Sequence, residues 1–269
     1  MRSPCRNDLV VVGDQDADAA VSGLLWCWQV KRTDRLTQLL WYTGAAAKKS
    51  AGSRLLDVAC GTGQHLLHLR EHFEAEGLDL DPELLTIAQR RLPDLRFTHA
   101  DMVDFDLGQR FDAVVCLFSS IGYVATLAKL RKTARTFTRH LEPGGVVIVE
   151  PWLTPDAFQP GRVHALLAEA ADLKVARMSS SDLRADRWAL NFHYLVGTPA
   201  GVEHFTERHL LGLFTTADYL NAFTDAGLQV TYDPEGISGR GLVIGVKPSD
   251  SRLGTRARTR RPSAAGART

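Results

Sequence analysis

The stretch Arg54-Leu55-Leu56-Asp57-Val58-Ala59-Cys60-Gly61-Thr62-Gly63 decides the fold. Leu55, Leu56 and Val58 make a short apolar run of the kind buried in a sheet, and Gly61-Thr62-Gly63 turns the chain before residues 64–72, which read as a helix. Glycines where a strand meets a helix let the backbone approach a ligand that side chains would exclude. A second strand ends in Gly77-Leu78-Asp79-Leu80, which places Asp79 22 residues after Asp57. A carboxylate at that strand end can accept hydrogen bonds from both hydroxyls of a ribose. A dinucleotide site would want a third glycine to seat a pyrophosphate, but Leu66 holds that position. The ligand expected is a nucleoside without phosphate.

Outward from this stretch, apolar strands alternate with helical segments, the pattern of a parallel sheet covered on both faces. Asp81-Pro82-Glu83 supplies the cap, proline and acid of a helix start, and that helix runs to about Arg91. Residues 95–98 are a third strand, followed by a third acid, Asp101. Residues 111–117 are a fourth strand, 127–140 a helix, and 145–150 a fifth strand after the turn Pro143-Gly144-Gly145. The fold class is α/β, a doubly wound Rossmann-like sheet. The period then changes: Trp188, Leu190, Phe192, Tyr194 and Val196 alternate with other residues as an antiparallel strand with one buried face does. Residues 202–214 follow as a second such strand and 172–178 as a third. Residues 215–226 return to helix before strands at 229–233 and 241–247. The chain divides into a partly helical N-terminal segment (1–52), a core (53–151), a small β-rich insertion over the mouth of the core (152–213), a return to the core sheet (214–247) and a disordered basic tail (248–269).

The chain has 269 residues, 45% of them hydrophobic and 23% charged, the balance of a globular protein with a sizeable core. Its apolar runs, such as 9–12 and 146–149, fall far short of a membrane span, and the N-terminus lacks the apolar centre of a signal peptide. A cytoplasmic location is expected, with no membrane partner. Net charge is +1, but residues 251–269 hold six arginines and no acid, so the remainder is mildly acidic and no nucleic-acid partner is expected. Cys5, Cys27, Cys60 and Cys116 form no CxxC pair, which suits neither a disulfide framework nor a zinc knuckle. His65, His68 and His72 share a helical face without a carboxylate or thiolate to complete a ligand set, so no metal is expected. His204 and His209 lie five apart on one strand and face opposite ways.

Asp57 to Gly63, Gly77 to Asp79, His99-Ala100-Asp101-Met102, residues 111–115 and Leu141-Glu142-Pro143-Gly144-Gly145 together resemble the class I S-adenosylmethionine-dependent methyltransferases. The resemblance implies S-adenosyl-L-methionine as cofactor, with Ala59, Gly61 and Gly63 under its methionine portion and Asp57 among the cofactor-binding residues. It also implies Asp79 on the ribose, Asp101 and Met102 on the adenine, and the backbone of Leu117 near the sulfonium. Phe118-Ser119-Ser120-Ile121-Gly122, Val149-Glu150-Pro151-Trp152, His193-Tyr194-Leu195-Val196, Leu213-Phe214-Thr215 and Ser238-Gly239-Arg240-Gly241 further resemble the N-methyltransferases of nucleotide-linked amino sugars, which serve macrolide-type natural products. That likeness spans residues 53–247. It implies a nucleotide-linked deoxyamino sugar as substrate, Arg240 and Arg177 on its diphosphate, Trp152 against its base, and a homodimer.

The sugar enzymes have a histidine after Ser-Ser-Ile-Gly, where this chain has Tyr123. A tyrosine, with an ordinary pKa of ~10 against ~6.5 for histidine, is a poor general base at neutral pH, so Tyr123 is expected to orient the amine. A nearby acceptor such as Glu150, His193 or bulk water could take the amine proton, and the sequence does not choose among them. Two other readings stand beside this one: a methyltransferase for another small amine or hydroxyl compound, and a protein that binds the cofactor without catalysis.

Overall fold

The computed structural model describes residues 53–249 apart from 170, 171, 185 and 186. The expectations for residues 1–52 and for the basic tail from residue 250 lie outside the described residues. In chain order the elements are β1 (Arg54–Val58), α1 (Leu66–Leu69), β2 (Glu74–Asp79), α2 (Pro82–Arg91), β3 (Arg96–His99), β4 (Phe111–Cys116), a 3-10 turn (Ser120–Val124), α3 (Leu127–Arg139) and β5 (Leu141–Val149). There follow β6 (Val163–Glu169), β7 (Lys174–Arg184), β8 (Arg187–Thr198), β9 (Gly201–Gly212), α4 (Thr216–Asp225), β10 (Gln229–Asp233) and β11 (Leu242–Val246).

Seven strands form one sheet in the order β10-β11-β5-β4-β1-β2-β3, with β1 to β5 parallel and β11 antiparallel to both its neighbours. Its central strands bury both faces because successive residues point to opposite sides. Leu56, Val58, Val114, Val147 and Val149 pack on one side against Leu130 and Phe137 of α3 and Tyr219 and Phe223 of α4. Leu55, Ala113, Val115, Val146 and Ile148 pack on the other against Leu66 and Leu69 of α1, Leu85 of α2 and Leu92 just beyond it. From β1 the chain winds outward through β2 and β3; from β4 it winds the other way through β5. The switch point lies between β1 and β4, and a crevice opens outside their C-terminal ends.

Three expectations need correction. Residues 64–72 do not form one long helix: only Leu66–Leu69 is helical, because Gly61 (φ 54°) and Gly63 (φ 77°) hold left-handed backbone before it and the chain must enter β2 at Glu74. The fifth strand starts at Leu141 rather than 145, its Pro143-Gly144 passing through a register shift opposite Phe111 and Ala113. The insertion has four strands, not three, in the order β6-β7-β8-β9. Its extra strand, β6, reads Val-His-Ala-Leu-Leu-Ala-Glu, a run of good helix formers that pairing with β7 overrides. The helix starts are as read: Asp81 accepts from the backbone N–H groups of Glu83 and Leu84, with Pro82 in the first turn. Among the described residues no helix is long and apolar enough to cross a membrane.

Candidate active site

The crevice is walled by backbone that only surrounding contacts can hold. Among the described residues four that are not glycine have φ in the left-handed region: Ala59, Phe118, Ser119 and Ala125. Ala59 leaves β1, Phe118 and Ser119 leave β4, and Ala125 closes the 3-10 turn. Such conformations cost of order 1–3 kcal/mol each and persist where neighbours over-determine them. The neighbours are on hand. The buried carboxylate of Glu150 accepts from the Phe118 N–H at 2.7 Å and from the Ser238 hydroxyl. Ser119 Oγ donates to the Pro151 carbonyl at 2.8 Å and accepts from Arg240 Nη1 at 3.1 Å.

On the β1 side, Asp79 Oδ2 accepts from the Gly61 N–H at 2.7 Å and Oδ1 from the Asp81 N–H at 2.9 Å, which fixes the glycine turn to the end of β2. Two backbone donors leave this carboxylate with acceptor sites for hydroxyls. Asp57 is different. It is fully buried, and neither of its oxygens has a hydrogen-bond partner among the described residues. Burial and the nearby Asp79 push its carboxyl well above the usual carboxylate range. The His65 ring stands 3.8 Å away, but burial and His68 bring that imidazole down to about 4, so it is uncharged at neutral pH and does not neutralise Asp57. An orphaned buried acid calls for a cationic donor. The α-ammonium of a methionine moiety is such a donor, and Gly61 beside it faces open space, whereas a side chain at Gly63 would meet Leu92, Ala88 and Phe97.

The expected adenine residues sit on the turn after β3. Asp101 Oδ1 accepts from the Val103 N–H at 2.9 Å, holding the turn, and Met102 packs on the core beside it. Leu117 is buried, its carbonyl accepting from the Ser120 N–H at 3.3 Å. Burial and neighbouring acids raise Cys60 and Cys116 far above the usual thiol range, so both are inert thiols.

Tyr123 projects from the 3-10 turn to meet the insertion, its hydroxyl 2.8 Å from His209 Nδ1 on β9. Trp152 leans on Trp188 at 5.2 Å and on the Arg240 guanidinium at 5.4 Å, and the same guanidinium lies 5.4 Å from the Phe118 ring. Trp152 and Arg240 are thus brought together. Arg177 stands instead on β7 opposite Tyr194, its guanidinium over the Phe192 ring at 4.9 Å and close enough to Glu207 to act on that carboxylate. Two of the expected proton acceptors are misplaced. Glu150 is committed to the Phe118 N–H and the Ser238 hydroxyl, and His193 alternates to the outer face of its strand, where it stacks on His204. The inner face instead carries Tyr194, Glu207 and His209. Sequence reasoning passed over Glu207 and His209 as functional groups; strand alternation puts the two on one face of β9, but only the pairing register with β8 sets them opposite Phe192 and Leu190 and on the same face as Tyr194.

The chain has relatives at several distances. A family model described as a methyltransferase domain matches residues 55–145. The dTDP-3-amino-3,6-dideoxy-alpha-D-glucopyranose N,N-dimethyltransferase of Streptomyces fradiae is 49% identical over 194 residues, 71% of this chain and 76% of that one. The crystal structure of Streptomyces venezuelae DesVI, 41% identical, superposes with a TM-score of 0.82 over 89% of this chain and all (100%) of that one. The SAM-bound structure of CalS10, an amino pentose methyltransferase of Micromonospora echinaspora, is 35% identical with a TM-score of 0.75, covering 89% of this chain and 99% of the other. Sequence identity and superposition agree, and the chain belongs to the family of dTDP-amino sugar N,N-dimethyltransferases.

Proposed function

We propose that this chain moves a methyl group from S-adenosyl-L-methionine to the amine of a nucleotide-linked deoxyamino sugar, once or twice, in natural-product sugar biosynthesis. The observation that carries the reading is the junction at Tyr123, where a residue at the mouth of the nucleoside crevice is hydrogen-bonded to the insertion through His209. The cofactor supplies a methyl on a positive sulfur, so a neutral amine held in line at roughly 3 to 3.5 Å is all the reaction asks of the acceptor. Asp57 holds the methionine ammonium, Gly61 gives the backbone room around it, Ala59 and Gly63 shape the turn that carries it, and Asp79 accepts the ribose hydroxyls. Asp101 and Met102 bound the adenine, and Leu117 lines the approach to the sulfur. On the substrate side Tyr123 orients the amine. Trp152 and Arg240 form one wall, where the guanidinium, one of whose donors is spent on Ser119 Oγ, has further N–H donors to offer a diphosphate. Arg177 lies within the insertion, over Phe192.

Incubation with the cofactor and a panel of dTDP-linked amino sugars, read by mass, tests the reading: one or two added methyl groups are expected. Tight binding of S-adenosylhomocysteine without transfer to any sugar nucleotide would overturn it in favour of another small amine. Arg240→Ala is expected to raise the KM for the sugar nucleotide about tenfold or more, the worth of one charge-assisted hydrogen bond. An unchanged KM would place the diphosphate elsewhere.

The outer face of the four-stranded sheet supports a homodimer. Leu167, Met178, Leu195 and Val202 lie on it and are 74%, 58%, 50% and 73% exposed, an apolar surface that a lone chain would leave wet. Leu195→Glu is expected to convert a dimer to a monomer in sedimentation; a wild type that sediments as a monomer removes the idea.

A further inference from the structure

We propose that His209 receives, through the hydroxyl of Tyr123, the proton that the substrate ammonium must lose before methyl transfer, with Glu207 fixing its ring. The proposal rests on the amino-sugar reading above. The geometry is a continuous chain: Tyr123 Oη to His209 Nδ1 at 2.8 Å, His209 Nε2 to Glu207 Oε2 at 3.2 Å, and the Tyr194 hydroxyl donating to the same Glu207 oxygen at 3.0 Å. Each link sets the next. A carboxylate facing Nε2 can only accept, so Nε2 carries the ring proton and Nδ1 is left as an acceptor for the phenol. The phenol proton then points at His209, and the oxygen's lone pairs point into the crevice, where the amine arrives.

The alternative, that Tyr123 is itself the base, fails on its own environment. Burial of the hydroxyl end, Glu207 and Asp79 together push the phenol up to about 12, so it stays protonated. A protonated phenol can still pass a proton along. An ammonium N–H gives its proton to Oη while Oη–H gives its own to Nδ1. The amine gains its lone pair, Tyr123 is unchanged, and His209 becomes an imidazolium beside the Glu207 carboxylate. Hydrogen bonding from His209 and Tyr194 holds Glu207 below its ordinary value, so it is ionised to receive that charge. The His209 side chain is 26% exposed, which gives its proton a way out to solvent before a second methylation. The titratable and charged groups around it are Glu207 on β9, Tyr194 on β8, Arg177 on β7, Tyr123 on the 3-10 turn and Asp79, whose field reaches Tyr123. Phe192 covers a ring edge at 5.2 Å. His209 is thus a positioning residue that acts through Tyr123.

The test is the pH profile of kcat/KM for a dTDP-amino sugar, measured on the full chain as wild type, His209→Gln and Glu207→Gln. With the relay intact the ammonium form of the substrate is usable; without it only the fraction already neutral reacts. At pH 7 His209→Gln is expected to lose about 10- to 100-fold, the low end of acid–base catalysis. Its acid limb should move up by a unit or more toward the ionisation of the substrate amine, and its rate should converge on wild type at high pH. Glu207→Gln should shift the same way by less. A loss by the same factor at every pH, or unchanged profiles, would mean that His209 only packs, and would overturn the relay while leaving the amino-sugar reading in place. Failure of the wild type to methylate any amino-sugar nucleotide would instead sink that reading, and the relay with it.

Discussion

Asp57→Asn is expected to weaken the binding of S-adenosylmethionine and S-adenosylhomocysteine by roughly 10- to 150-fold, the worth of a charge-assisted hydrogen bond of ~1.5–3 kcal/mol, and at the same time to raise the melting temperature of the free protein. The two effects have one cause. Asp57 is a buried acid with neither oxygen hydrogen-bonded among the described residues, and its nearest basic neighbour, His65, is uncharged at neutral pH. Without a ligand it is a cost to the fold, and with one it is an anchor. Each ~1 kcal/mol recovered should appear as about 2–4 °C in a protein of this size. Because the folded-state carboxyl is raised, the native protein keeps a proton over a window above the ordinary carboxylate range that the unfolded chain has already released. Stability should therefore fall as pH rises through that window, while affinity for the cationic cofactor rises and a proton is released on binding. Calorimetry in buffers of different ionisation enthalpy would count that proton. An Asn variant that binds as tightly as wild type would show that the ammonium is held elsewhere.

Glu150→Ala is expected to cost about 3–5 kcal/mol, the range for stripping one member from a buried charged network, and to lower the melting temperature by roughly 6–20 °C. The carboxylate holds the Phe118 N–H and the Ser238 hydroxyl, and it is the charge that offsets burial at the Arg240 guanidinium. Removing it frees two successive left-handed residues, Phe118 and Ser119, and the turn that carries Tyr123 with them. Activity should fall further than stability alone predicts. Glu150→Gln, which keeps one acceptor, should fall between. A melting temperature within about 2 °C of wild type for Glu150→Ala would show that the β4 exit is held by other contacts.

The core and its ligand class were legible because their physics is local. A strand, two glycines in left-handed conformation and an acid at the end of the next strand lie within 26 residues (54–79), and each constraint acts on near neighbours. The cap at Asp81 was readable for the same reason. The length of α1 was not, since the distance back to β2 sets where that helix must stop. Strand β6 was not, since its residues prefer helix and only the edge of β7 makes them extended. The same divide runs through the site. Asp57, Asp79 and Tyr123 stand at strand ends and on turns whose position follows from chain order. Glu207 and His209 do not: a strand's alternation says that they share a face, while the register of β8 against β9 and the approach of the 3-10 turn decide that this face meets Tyr123, 86 positions away in the chain from His209. By itself the sequence determined the sheet and the nucleoside crevice, because period, glycine conformation and strand-end acids are short-range properties, while the methyl-transfer chemistry came from its resemblance to a known family. Only the tertiary structure decided which carboxylates are spent on holding loops, which acid is left unpaired, and which imidazole stands behind the phenol, because those depend on groups that long-range pairing alone brings within hydrogen-bonding distance.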